Sequence, residues 1–167
     1  MDIENSHIVV IAYIASNIIG LLFLWAAIKR PKLARLLLVL LFGWASWVNY
    51  TGAHETPQAY LTYSQYALGL YRSFINGWFS THVTVFVSFI ALGQALIAVG
   101  MLLNGMWVKL ACIGVIIFLL GIAPIGYYAG FPFSLTVSAA AYSILRKDDL
   151  NYLWNFHMHK IPAHENQ

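Results

Sequence analysis

The sequence predicts an all-α, polytopic membrane helix bundle: four long transmembrane helices, a short fifth segment and an interfacial amphipathic helix. Composition is the first reason. Of 167 residues, 60% are hydrophobic and 9% charged, against about 25% charged in a soluble domain. Run length is the second, because apolar stretches of roughly 20 residues match a hydrocarbon core about 30 Å thick. Charge placement is the third. Lys29, Arg30, Lys32 and Arg35 follow the first run, Lys109 separates the third and fourth, and Arg146, Lys147 and Lys160 follow the last; of the nine basic residues only Arg72 falls on the other side. Lysine and arginine concentrate on loops that are not translocated. The expected topology therefore has the N-terminus outside and the C-terminus cytoplasmic.

The first span covers about 8–28. Its flank carries Asp2 and Glu4, where a secretory signal wants basic residues, and no small-residue cleavage site follows, so it reads as a retained helix. Pro31 marks the turn in the basic loop. The second span covers about 36–53, with Trp44, Trp47 and Tyr50 thickening towards an interface. Residues 54–81 are too polar to span and too aromatic for a solvated loop. After Pro57, Tyr60, Tyr63, Leu70, Tyr71 and Phe74 recur at helical spacing, which predicts an interfacial amphipathic helix over about 57–76, broken near Asn76-Gly77. The third span, about 82–103, closes at Asn104-Gly105. The fourth, about 107–128, contains Pro124, where a kink or early end is expected. The fifth, about 133–145, is short for a crossing unless it starts deeper in the bundle. Residues 1–145 thus form the membrane domain and 146–167 a cytoplasmic tail. In that tail Asp148 and Asp149 are candidate helix starters, and Leu150, Leu153, Trp154 and Phe156 could rest on the membrane surface. Small residues let membrane helices approach closely. Gly93 and Gly100, and Gly114 and Gly121, each seven apart, predict that spans three and four pack as a hairpin, and Ala139, Ala140 and Ala141 give the fifth a slim side.

The interior of every predicted span lacks Asp, Glu, Lys, Arg and His. Such groups mark proton relays and ion coupling, so a pump is disfavoured, as is a haem held by buried histidines. Asn17 and Gln94 are mid-span polar residues suited to interhelical hydrogen bonds. Cys112 stands alone in an apolar run, a small hydrophobe with no disulfide partner. The net charge of +3 consists of topological anchors and gives no nucleic-acid partner. No P-loop, dinucleotide motif, nucleophile elbow or CxxC is present, so the chain reads as no enzyme on its own.

Reactive groups collect at the outer face. Trp44, Trp47, Asn49, His54, Glu55, Tyr60, Tyr63, Arg72, His82 and Gln94 could line an aromatic pocket with a few polar groups, the usual form of a small-molecule site. No motif requires a cofactor; a quinone is the class such a pocket would suit. The bland alternative pairs Arg72 with Glu55 or a lipid phosphate and leaves the histidines and tyrosines as wetted belt residues. His54, Glu55 and His82, with His7, have ligand types that suit zinc or copper but no ligand spacing. His157-Met158-His159 with His164 is a weaker case of the same kind, and no metal is assigned.

The stretch FGWASWVNY, the Pro- and Tyr-rich PQAYLTYSQYA and the run GQALIAVGMLLNGMWVKLA, followed by a span ending in Pro and Gly and a short last span, resemble the DoxX-like family of small bacterial membrane proteins over about residues 40–145. The family's glycine-rich helix closing on a tight turn is similar to Gly93 through Lys109. The leading helix departs from the minimal four-span form. Gln94 stands near where such proteins often carry an acidic residue, which counts against a carboxylate-based role. The family includes a subunit of a thiosulfate:quinone oxidoreductase. The resemblance implies an accessory or quinone-like small-molecule-binding subunit of a membrane redox system. A structural or assembly subunit bound to other membrane subunits, and a passive small-solute transporter, are the other readings. A homo-oligomer is left open.

Overall fold

The computed structural model describes residues 3–129 and 131–154. These form α1 (Ile3–Lys29), α2 (Pro31–Glu55), α3 (Gly69–Phe74), α4 (Ser80–Leu102), α5 (Met106–Ile122) and α6 (Phe133–Lys147), with no strand among the described residues. Four helical stretches, Val10–Lys29, Pro31–Glu55, Gly69–Leu102 and Met106–Gly126, are long and apolar enough to cross a membrane. The chain is an all-α helical bundle and an integral membrane protein. The long helices and α6 close into a ring in which α1 packs on α2, α2 on α4, α4 on α5, α5 on α6, and α6 on α1. Outward faces are apolar: Ile14, Ile18, Leu40, Phe89, Leu96 and Ile113 are all exposed, as they must be when lipid is the solvent.

α2 begins earlier than the expected start near residue 36. Pro31 takes its first turn, where the missing N–H costs nothing, so Lys32 and Arg35 belong to the helix. Arg35, read from the sequence as a loop cation, is 0% exposed. Its Nε donates to the Met101 carbonyl at 3.1 Å, Nη2 to Met101 at 2.8 Å and Leu103 at 2.7 Å, and Nη1 to Asp148 Oδ1 at 3.1 Å and the Asn151 carbonyl at 2.7 Å. All five N–H groups of the guanidinium are used. Met101 and Leu103 present carbonyls that the end of α4 leaves without helical donors, so one side chain joins three parts of the fold.

Asp148 and Asp149 do not start a helix, as the sequence suggested. They accept the amides of Leu150 at 2.6 Å and Asn151 at 3.0 Å, short side-chain turns that compete with a helix. Leu150 sits in the left-handed region (φ 55), and its carbonyl accepts the Gly105 amide at 2.7 Å. Lys32 pairs with Asp149 at 3.2 Å. Burial pushes the Asp148 carboxyl above its ordinary range, although the Leu150 amide and Arg35 pull the other way. For Asp149 burial also acts upward, but the Asn151 amide and Lys32 outweigh it and hold the carboxyl below that range. Residues 148–154 thus fold onto the end of the bundle formed by the α1–α2 junction and the α4–α5 turn; Phe156, His157, Met158, His159 and His164 lie outside the described residues.

The predicted continuous amphipathic helix over 57–76 is not what forms. Pro57–Gln65 winds as a 3-10 helix, Leu68 is extended (φ −58, ψ 153), and α3 then runs through a wider turn at Ile75–Phe79 into α4. Thr62 and Ser64 bond back to the carbonyls three residues earlier, Ala59 at 2.7 Å and Leu61 at 2.8 Å, which favours the tighter winding. The expected break near Asn76-Gly77 is present at Gly77 (φ −97, ψ −114).

Pro124 ends α5 at Ile122, and a 3-10 turn, Ala123–Ala129, with Gly126 at φ 78, reverses the chain. α6 has 15 residues, about 22 Å of helix. It starts against the middle of α1: a Cβ on Gly20 would stand 3.1 Å from the Phe133 ring, and Phe23 meets that ring edge-on at 6.5 Å. Four longer helices, not α6, have the length and apolarity of a span. Ala140 and Ala141 are buried and Ala139 is exposed.

α4 and α5 do pack together, but only half of the glycine pattern serves that contact. A Cβ on Gly100 would lie 2.9 Å from the Ala111 Cβ, and one on Gly114 would lie 3.1 Å from Ile97, whereas Gly93 and Gly121 have nothing within 4 Å. The buried side chains fall into two clusters. One includes Leu38, Phe42, Met101, Val115, Val137 and Ile144; the other, nearer the 57–79 segment, comprises Ala53, Ala67, Ile75, Phe79, Val83 and Val87. The space between them is the site.

Candidate functional site

One stripe on α2 positions the site. Arg35, Leu38, Phe42, Ala45 and Asn49 recur every three or four residues and so share a face. Arg35 anchors that face at one end, and Phe42, Ala45 and Asn49 reach a cavity of about 530 Å³ towards the other, within the ordinary range for small ligands. α4 contributes Phe86, Val87, Ile90 and Gln94; α5 contributes Ile117, Phe118 and Ile122; and Phe133 opens α6. Tyr60, Tyr63, Tyr71, Phe74, Ile75 and Phe79 close the cavity from the 57–79 segment, which acts as a lid. Among the described residues none that lines it is charged.

The lid is fastened where α5 breaks. Proline has no N–H and ends regular pairing, which frees carbonyls there. Tyr71 Oη donates to Gly121 at 2.6 Å, and the Leu68 amide donates to Pro124 at 3.1 Å. Arg72 holds the lid internally, Nε donating to Ser64 at 3.1 Å and Nη2 to Ala67 at 3.3 Å. At the α2 wall the chains approach closely: a Cβ on Gly52 would stand 2.8 Å from Tyr60 Oη.

Three polar groups of the cavity, Tyr60, Asn49 and Gln94, form one directed chain. Tyr60 Oη donates to Asn49 Oδ1 at 3.1 Å, and Asn49 Nδ2 donates to Gln94 Oε1 at 2.8 Å. Gln94 is 3% exposed, and its Nε2 donates to no acceptor among the described residues. The chain therefore ends in an amide donor, and each bond polarises the next. Burial first, and the neighbouring Tyr63 phenol second, push Tyr60 above its ordinary range, so it remains a protonated donor. Tyr60 and Tyr63 meet edge-on at 5.9 Å and 89°. On the floor, Phe42 and Phe118 meet edge-on at 5.9 Å. Flat aromatic walls beside the Gln94 donor suit a planar apolar ring that carries an acceptor oxygen.

Of the residues picked from the sequence, the cavity gathers Asn49, Tyr60, Tyr63 and Gln94. Trp44 and Trp47 are each 68% exposed and outside it. His54 is exposed, its ring 4.5 Å from that of Tyr50 and its Nδ1 2.7 Å from the Tyr50 carbonyl. Glu55 is exposed, and Arg72 bonds the lid backbone with no ion pair to it. His82 stacks on Trp78 at 4.3 Å, with Nδ1 2.8 Å from Thr81 Oγ1. His54, Glu55 and His82 are not gathered into a metal-ligating group among the described residues; the side chain of His7 lies outside them. Phe74, Phe86, Ile117 and Phe118 were missed, because in a membrane helix lipid-facing and cavity-facing apolar residues read alike. Tyr71 with Gly121 was missed too, although Pro124 signals freed carbonyls nearby. Compared with known proteins, the chain matches no family model, no curated protein and no solved structure.

Proposed function

We propose that this membrane protein binds a lipid-soluble ring compound of the quinone class and serves as an accessory subunit of a membrane redox system, in keeping with its DoxX-like sequence features. The observation that carries the reading is the apolar, aromatic-walled cavity with the Gln94 amide donor at the end of the Tyr60–Asn49 chain. A quinone carbonyl accepts such a bond, and its ring fits between Phe118 and the tyrosines. The apolar wall and the lack of charge disfavour ions and sugars, whose desolvation nothing there would offset. The same resemblance suggests a bacterial plasma membrane, and the lysine and arginine distribution supports a cytoplasmic basic end with the lid on the outer side.

The test is retention of a short-chain benzoquinone by detergent-purified protein. Gln94→Leu should weaken binding about five- to tenfold, the worth of one hydrogen bond. Ile90→Trp, which fills the cavity, should abolish it while the protein still folds. Equal retention by wild type and both variants would overturn the reading. The exposed face of α1 at Val10, Ile11 and Ile14 favours a second reading, a purely structural subunit. Stable larger partners copurifying with a quinone-free chain would support it.

A further inference from the structure

A second concave feature lies at the opposite end of the bundle, away from the cavity. A groove of about 600 Å³ is lined by Lys29, Arg30, Pro31, Lys32, Leu33 and Lys147, with Asp148 and Asp149 on its floor. Both carboxylates are already engaged, Asp148 by the buried Arg35 and Asp149 by Lys32. Among the described residues no carboxylate lies within ion-pair distance of Lys29, Arg30 or Lys147. Three cations from the end of α1, the α1–α2 junction and the end of α6 thus converge on one hollow. α2 also opens into it without a side-chain cap and with no acidic residue in its first turn, so its helix dipole adds to the same positive field.

The flanks say what kind of anion belongs there. On α1, Leu21, Trp25 and Lys29 are four apart and lie on one exposed ridge; on α2, Leu33, Leu36 and Leu40 form another. Both ridges lead from the groove along membrane-spanning helices. A free phosphate would use the cations and leave the ridges idle. A phospholipid uses both, its phosphate among the cations and its acyl chains along Trp25 and Leu36. We infer that the groove is a binding site for an anionic phospholipid, held through its phosphate by Lys29, Arg30 and Lys147. The site is independent of the cavity ligand and of which leaflet the groove faces.

Native mass spectrometry of the full chain in neutral detergent tests this, with phosphatidylglycerol, phosphatidylcholine and inorganic phosphate as probes at equal concentration. Phosphatidylglycerol should be retained and should raise the thermal midpoint, and the other two should do neither. Lys29→Gln and Lys147→Gln should each lower retention about fivefold, the usual worth of one basic residue at an anionic surface, and Lys147→Arg should keep it. Lys109→Gln removes an exposed cation that does not line the groove and should change nothing. Equal retention of phosphatidylcholine, equal stabilisation by inorganic phosphate, or an equal loss in the Lys109 variant would overturn the proposal. Because the substituted lysines are exposed surface residues, the single variants should fold, and their helical circular dichroism checks this.

Discussion

Arg35 and Gln94 are the two residues on which the bundle turns, and only one of them stood out in the sequence. Gln94 was visible as a rare polar group in an apolar helix. Arg35 was absorbed into a basic cluster whose topological role explained it too easily. The signal that separates it from Lys29 and Arg30 is periodic: Arg35 shares a helical face with Leu38, Phe42 and Asn49, which pack inward. A buried guanidinium is tolerable only because each N–H has an acceptor and a carboxylate stands beside it. Arg35→Ala should therefore cost roughly 3–5 kcal/mol, the scale for stripping one partner from a buried ion pair, measured as a lowered denaturation midpoint in detergent. Arg35→Lys should recover little, because an ammonium keeps the charge but not the planar fork. A lysine variant as stable as wild type would refute this account of the residue.

Elements were legible where hydropathy alone decides them. Four long helices, the turn at Asn104-Gly105 and the early end at Pro124 all lie where runs of apolar residues and breakers place them. The lid was not legible in detail, because its winding depends on hydroxyl groups bonding back to the chain and on carbonyls offered by α5, and neither leaves a periodic trace. Glycine was half legible. Spacing marks Gly93, Gly100, Gly114 and Gly121 alike, but only the packed structure tells which of them face a neighbour. Gly100→Ala places a methyl 2.9 Å from the Ala111 Cβ, and such overpacking should cost about 1–3 kcal/mol. Gly93→Ala meets open space and should be neutral or gain up to about 1 kcal/mol from helix propensity. Thermal midpoints of the two variants side by side check the assignment; equal shifts would mean that α4 and α5 do not meet as described.

At the scale of the whole molecule, the basic cluster of Lys29, Arg30, Lys32, Arg35 and Lys147 and the lid sit at opposite ends of one ring. With the native Cys112 replaced by alanine, Gln65→Cys in the lid should react with a membrane-impermeant maleimide added to intact cells. Lys109→Cys should react only after the membrane is opened. The reverse pattern would invert the proposed orientation. The ring itself has a consequence for synthesis. The guanidinium at the base of the second helix and the carboxylate that meets it are 113 residues apart in the chain, and two of its other acceptors are carbonyls that follow 66 and 68 positions after it. A nascent polypeptide must therefore carry a cation without its counter-charge through most of its insertion, and any product released before residue 148 leaves the guanidinium on the Met101 and Leu103 carbonyls with no carboxylate. Completion by the ribosome is the condition on which the bundle can shut.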